Sequence, residues 1–190
     1  QRQMCIRDRD MIYIFLANGF EEVEALATVD VLRRADLNVK IVGVGSDVIT
    51  GAHGISTVCD AVDSDLTPGD DIEAVILPGG MPGTLNLERS AKVNVFVDYA
   101  YENQKIVCAI CAAPSILGHK GMLKGKKAVC FPGFESELEG AELSDSFVVT
   151  DGNIITAKGM GSAVKFGIAI GAAFVGEAKM KKIEESLQCS

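Results

Sequence analysis

MIYIFLANGFEEVEALATVDVLRRADLNVKIVGV, residues 11–44, reads as a strand, a helix and a second strand in direct succession. Met11–Leu16 is a continuous apolar run, as expected of a strand covered on both faces and not on one alone. Residues 21–35 follow with acids in the first turn and Arg33 and Arg34 in the last, the charge order that suits a helix dipole. Residues 39–44, VKIVGV, form the second strand. The alternation continues along the chain. A strand over 74–77 ends in Pro78-Gly79-Gly80, a helix covers 90–103, and a strand over Ile106–Ile110 runs straight into Cys111 and a helix over 113–120. Further β-like runs lie at 128–131, 147–150 and Ile154–Ala157. A Gly/Ala-rich helix over 162–176 and a short amphipathic one over 177–187 complete the pattern. Short β-like pieces around Gly51 and Gly54 read as a small hairpin. Strands alternating with helices predict a doubly wound α/β fold, a mostly parallel sheet with helices on both faces.

Composition narrows the function. A chain of 190 residues is near the size of one ordinary domain. Its formal net charge of −8 argues against a nucleic-acid partner, because neutralising phosphates needs a basic surface. Hydrophobic residues at 48% and charged ones at 23% are ordinary for a globular protein, and no apolar run approaches the roughly 20 residues of a membrane span. The six cysteines (5, 59, 108, 111, 130 and 189) are widely spaced and mostly sit in strand-like runs. That distribution fits reduced thiols in a cytoplasmic protein better than a disulfide framework. One C-x-x-C with neither histidine at ligand spacing gives no zinc site. Residues 1–10, QRQMCIRDRD, show neither strand nor helix periodicity and lack the apolar stretch of a targeting peptide. The string resembles a translated sequencing-adapter sequence fused in frame, so the expectation is a native start at Met11 and a single domain over 11–190.

Sheets of this type place ligands beyond the carboxyl ends of their strands. Three segments stand there: Asn18 to Glu24, Pro78-Gly79-Gly80, and Ala109-Ile110-Cys111-Ala112-Ala113. None is a G-x-G-x-x-G, and no G-x-x-x-x-G-K-[ST] occurs in the chain, so no nucleotide cofactor is expected. The third segment is a nucleophile elbow with Cys in the place of Ser. A strand ends in a reactive residue flanked by small ones, because a tight strand-to-helix turn leaves no room for large neighbours. A sulfur at a helix N-terminus faces free N–H groups, which favour the thiolate. Cys59, Cys108 and Cys130 read instead as buried structural thiols. Cys108 and Cys111 also form a C-x-x-C, which keeps a dithiol pair open as an alternative. A histidine base is poorly supplied: His119 lies about 12 Å along the same helix, and His53 sits in a Gly-flanked loop. Glu24, one turn into the first helix, is the other candidate. Glu21 and Glu22 read as ordinary acids at a helix N-terminus.

Four motifs, NGFEEVEA, LPGGMPG, AICAAPSIL and TAKGMGSA, resemble in order those of the ThiJ/PfpI superfamily, in its DJ-type (parkinsonism-associated deglycase, chaperone and glyoxalase III) branch. The resemblance covers residues 11–176. It implies a flavodoxin-like homodimer with a reactive elbow cysteine at Cys111. It matches the family's protonated glutamate with Glu24 and its oxyanion-type backbone donors with Gly80 and Ala112, with Gly79 beside them. The implied substrate is a small reactive carbonyl, turned over without cofactor or metal; the implied alternative is a redox sensor or chaperone in which peroxide takes Cys111 to the sulfinate. Several positions depart from the pattern. Ala112 stands where the protease-like branch carries His, which makes peptidase activity unexpected. Phe131 stands where some members have a histidine near the cysteine, and His53 falls near the place of an active-site arginine. Arg34 matches the dimer-interface arginine, and Cys108 occupies a position that is commonly Ala.

Overall fold

The structure, a computed structural model, describes residues 10–188. Apart from Asp10, the N-terminal decapeptide lies outside the described residues, as do Cys5 and Cys189. The strands are β1 (Met11–Leu16), β2 (Val39–Gly43), β3 (Val48–Thr50), β4 (Ser56–Val58), β5 (Ala61–Val62), β6 (Ile72–Leu77), β7 (Ile106–Ile110), β8 (Lys127–Ala128), β9 (Glu142–Leu143), β10 (Val148–Asp151) and β11 (Ile154–Ala157). The helices are α1 (Glu22–Arg34), α2 (Gly83–Arg89), α3 (Ala91–Glu102), α4 (Pro114–His119), α5 (Ala163–Val175) and α6 (Glu177–Ser186). Seven strands form one sheet in the order β5-β2-β1-β6-β7-β11-β10, parallel throughout except for the antiparallel β10 at one edge. Its five inner strands run in the flavodoxin order 2-1-3-4-5. The fold expected from the alternation is the fold observed.

The period of two in β1 explains why its whole length is apolar. Ile12, Ile14 and Leu16 enter a core with α1, α5 and α6, whereas Tyr13, Phe15 and Ala17 enter the core beneath α3 and α4. Phe20, Leu32, Phe166 and Ile170 fill the first core, and Phe96 lies edge-on to both Tyr13 and Phe15 in the second. β7 divides in the same way, with Cys108 and Ile110 facing the first core and Val107 and Ala109 the second.

The departures from expectation are local. Residues 83–89, a stretch for which the pattern suggests no element, form the short helix α2, whose approach through Pro-Gly hides its start. The run at 128–131 pairs only through Lys127–Ala128, in a two-stranded ribbon apart from the main sheet. Beyond it the backbone turns toward the elbow, and the Phe131 N–H donates to the Cys111 carbonyl at 2.8 Å. The hairpin expected around Gly51 and Gly54 is β3–β4.

Candidate active site

Three chain segments meet at the carboxyl ends of β1, β6 and β7. After β1, the turn at Asn18–Glu21 leads into α1. Glu21 caps that helix, its Oε2 accepting from the Glu24 N–H at 2.6 Å. After β6, Gly79 and Gly80 lie against this turn: the Glu21 N–H donates to the Gly79 carbonyl at 2.9 Å. Gly80 has φ +90°, and a Cβ there would stand 2.3 Å from the Glu21 nitrogen, so the crossing requires glycine. After β7, Cys111 has φ +66°, a left-handed conformation that a side-chain-bearing residue adopts only under local constraint. The N–H of Cys111 is held by the Ala157 carbonyl at 2.9 Å and its own carbonyl by Phe131. The strained elbow is therefore tied on both sides.

The expected residues converge there. Glu24 is 1% exposed, and its Oε2 accepts from the Gly79 N–H at 2.9 Å. Its Oε1 is buried with no conventional hydrogen-bond partner among the described residues, which leaves that oxygen for the neighbouring thiol or for a bound molecule. Cys111 is partly exposed beside the carboxyl, and the N–H groups of Ala112 and Gly80 are directed at its sulfur. Burial raises the Glu24 pKa to about 7, against the lowering effect of hydrogen bonds from Cys111 and Gly79.

Burial also raises the Cys111 thiol, with the Glu24 carboxylate adding to it, to about 12, while the N–H groups of Ala112 and Gly80 pull the other way. This corrects the expectation of a thiol lowered by its helix N-terminus. The following helix, only six residues long, begins at Pro114, and the two donors that do reach the sulfur, Ala112 before it and Gly80 after β6, are outweighed by burial next to a carboxylate. The pair is best described by its shared proton. Above about pH 7 it keeps one proton and one negative charge, as carboxylate with thiol or as carboxylic acid with thiolate.

Other expected residues lie elsewhere. Arg34, at the far end of α1, pairs with Asp30 at 2.6 Å and takes no part in the cluster. His119 bonds Glu88 and Glu137 at the end of α4, away from the cysteine. His53 comes to the mouth of the α1 turn but bonds Glu22: its Nδ1 lies 2.8 Å from Oε2, and its backbone N–H donates to Oε1 at 2.7 Å. Glu22, expected as an ordinary surface acid, is 3% exposed and clamps the β3–β4 turn onto α1. Burial raises its pKa, but hydrogen bonds from His53 and from backbone N–H groups outweigh this and hold it below the usual carboxylate range. Gly51 and Gly54 on either side of His53 are the sequence signal for this clamp. Donor atoms of Glu21, Glu22 and His53 lie within 4.8 Å of one another, but both Glu22 oxygens are already engaged by His53. Cys108 is fully buried in the core under α1 and α5, and the thiols at 59, 108, 111 and 130 are all free. Two extended residues separate Cys108 from the elbow, which at ~3.3 Å per residue puts its Cα roughly 9–10 Å from that of Cys111, beyond disulfide reach.

Residues 10–173 match the DJ-1/PfpI family, and the chain belongs to it. It is 34% identical over 170 residues to protein DJ-1 homolog B of Arabidopsis thaliana, covering 88% of this chain but 39% of that one. The chain thus spans well under half the length of that relative. With protein dj-1beta of Drosophila melanogaster it shares 30% identity over 177 residues, covering 92% of this chain and 94% of that one. The crystal structure of the Drosophila DJ-1beta superposes with a TM-score of 0.89 at 28% identity, covering 95% and 98% of the two chains. An oxidized DJ-1 of Toxoplasma gondii superposes at 0.87 and 27% identity, covering 94% and 97%. Among the described residues no helix is long and apolar enough to cross a membrane.

Proposed function

We propose that this chain is a cysteine-dependent, cofactor-independent stress-response enzyme acting on reactive carbonyls, of the glyoxalase III or deglycase type. The observation that carries the reading is the buried Glu24 carboxyl beside Cys111, with one oxygen unpartnered and the N–H groups of Gly80 and Ala112 aimed at the same place. With methylglyoxal, the Cys111 sulfur adds to the aldehyde carbon while its proton passes to Glu24, which hands it on to the alkoxide, leaving a hemithioacetal beside a Glu24 carboxylate. Gly80 and Ala112 stabilise the oxyanion formed in this addition. Proton transfer by Glu24 from the former aldehyde carbon gives an enediol, and reprotonation at the neighbouring carbon gives a thioester of lactate. Water hydrolyses the thioester, releasing lactate and the thiol. One carbon is oxidised and its neighbour reduced, so the overall change is addition of water. A group that must both accept and donate a proton works best with a pKa near the working pH, and about 7 for Glu24 meets that requirement. Homodimer formation belongs to the same reading, with Arg34 on the exposed end of α1 as the matching interface residue.

The convergence of Glu24, Gly80 and Ala112 on one sulfur also favours a second reading, a redox sensor or chaperone. In it peroxide oxidises Cys111 to the sulfinate, whose oxygens these same groups hold. Incubation with methylglyoxal, followed by NMR detection of lactate, separates the two. Turnover abolished by Cys111→Ser and by Glu24→Gln supports the enzyme. Absence of turnover, with sulfinate forming at Cys111 under mild peroxide, supports the sensor.

A further inference from the structure

Three large apolar side chains are exposed together beside the elbow: Phe131 at 47%, Phe147 at 60% and Met160 at 52%. With Pro132 and Lys158 they line an open groove of about 380 Å³, a volume in the range of small-molecule sites. Clustered exposed apolar surface marks a binding surface more often than chance. The groove is joined to the nucleophile through the backbone. Phe131 donates to the Cys111 carbonyl, and Cys111 donates to the carbonyl of Ala157, the residue preceding Lys158. Its rim is cationic on a chain of net charge −8: Lys158 lines it, and the Lys165 ammonium stands 5.2 Å from the centre of the Phe147 ring. Aromatic walls and a positive rim, tied to the elbow through the Phe131 backbone, complement a molecule with a flat apolar group next to a carbonyl or carboxylate.

We infer that this groove is a subsite for an aryl side group, so that the chain's preferred substrates are aryl-substituted dicarbonyls and its products aryl α-hydroxy acids. The inference rests on the dicarbonyl reading above and assigns its substrate class. With phenylglyoxal the balance is phenylglyoxal plus water giving mandelate. The aldehyde carbon is oxidised to the carboxylate, the ketone carbon is reduced to the carbinol, and no outside oxidant or reductant is needed. The ring lies between Phe131 and Phe147, and the lysines face the carboxylate as it forms.

The test compares kcat/KM for phenylglyoxal and methylglyoxal in the full chain and in Phe147→Ala, whose exposed side chain can be removed without opening the core. Phenylglyoxal is expected to be favoured by about tenfold or more, a ratio typical of one well-filled apolar pocket, and the variant is expected to lose most of that preference. Turnover of methylglyoxal with no preference for phenylglyoxal, or a preference that Phe147→Ala leaves intact, overturns the subsite while the dicarbonyl reading stands. Turnover of neither compound overturns that reading, and the subsite is then decided by binding. In fluorine NMR, 4-fluoromandelate is expected to broaden on addition of the Cys111→Ser protein and to broaden less with Phe147→Ala or Lys158→Gln added to it. No broadening at millimolar ligand overturns the subsite. So does a Phe147→Asp variant that separates an oligomer into monomers, since a second copy then fills the groove.

Discussion

Replacing Glu24 by Gln should remove a specific part of the pH dependence of stability. In the unfolded chain this carboxyl releases its proton from about pH 4.5 upward, whereas in the folded chain it holds it to about 7. Folding is therefore helped by Glu24 in acid, and that help is lost as pH rises through this interval. A factor of ten in proton affinity is worth about 1.4 kcal/mol, so the loss approaches ~3 kcal/mol once both states are ionised. Between pH 5 and pH 8.5 the wild-type chain should lose about 2–3 kcal/mol that the Gln variant keeps. Urea denaturation at both pH values, for both proteins, reads this as a double difference in which the histidines and the other acids cancel. Burial is the largest cause of the shift, and the Cys111 hydrogen bond opposes it, so Cys111→Ser should retain the wild-type slope or steepen it. Parallel pH profiles for wild type and Glu24→Gln would refute the reasoning, because the carboxyl would then ionise in the folded protein as it does in water.

Four further outcomes are expected. Carbonyl turnover should rise as pH increases through about 7, where the Cys111–Glu24 pair loses its first proton, and Glu24→Gln should show no turnover on either side of that inflection. Gly79→Ala should lower activity at least tenfold and depress the melting temperature, since the new Cβ would stand 2.6 Å from the Cys111 Cβ and 2.7 Å from Glu24 Oε2; overpacking of this kind costs ~1–3 kcal/mol. His53→Ala should leave Glu22 buried with fewer partners and loosen the β3–β4 turn, which amide hydrogen exchange of residues 51–55 would detect as faster exchange. The effect should be largest in acid and fade as pH rises through the raised His53 pKa, because the Glu22 hydrogen bond favours the charged ring. Phe96→Ala should cost ~3–5 kcal/mol in chemical denaturation without reaching the site, as that ring is fully buried between α3 and β1 and edge-on to Tyr13 and Phe15.

What could be read in the sequence was what depends on short-range pattern. The unbroken apolar run of β1 reports a strand with cores on both sides, and a small-residue setting around Cys111 reports an elbow, because each is a local steric requirement. Residues 83–89 were not legible for the opposite reason: a seven-residue helix entered through Met81-Pro82 has too few turns for its periodicity to outweigh the punctuation of Pro and Gly. Glu22 and Glu24 were harder. Acids in the first turn of a helix usually face solvent and the dipole, and nothing within α1 reveals that the β3–β4 turn covers one and the Gly79–Cys111 junction covers the other.

The thiol illustrates how far such local reasoning carries. Two aimed N–H groups lower the pKa of Cys111, but burial raises it most, and a carboxyl drawn from 87 residues earlier in the chain adds to that rise, so the long-range packing wins. The consequence is chemical. A cysteine activated by its helix alone would stand as a thiolate at neutral pH and be open to any electrophile. A cysteine whose proton is shared with Glu24 becomes nucleophilic only when that carboxyl is free to take the proton, and the same carboxyl then holds it where a developing alkoxide or enediol needs it. Bulk thiol reagents offer no such return of the proton. Cys111 should therefore react with iodoacetamide more slowly at pH 7 than a free thiol of ordinary pKa, while adding readily to carbonyls that can accept the Glu24 proton. Alkylation followed by mass spectrometry checks this directly, and rapid labelling of Cys111 at neutral pH would show that the N–H donors, and not burial beside the carboxyl, govern the sulfur.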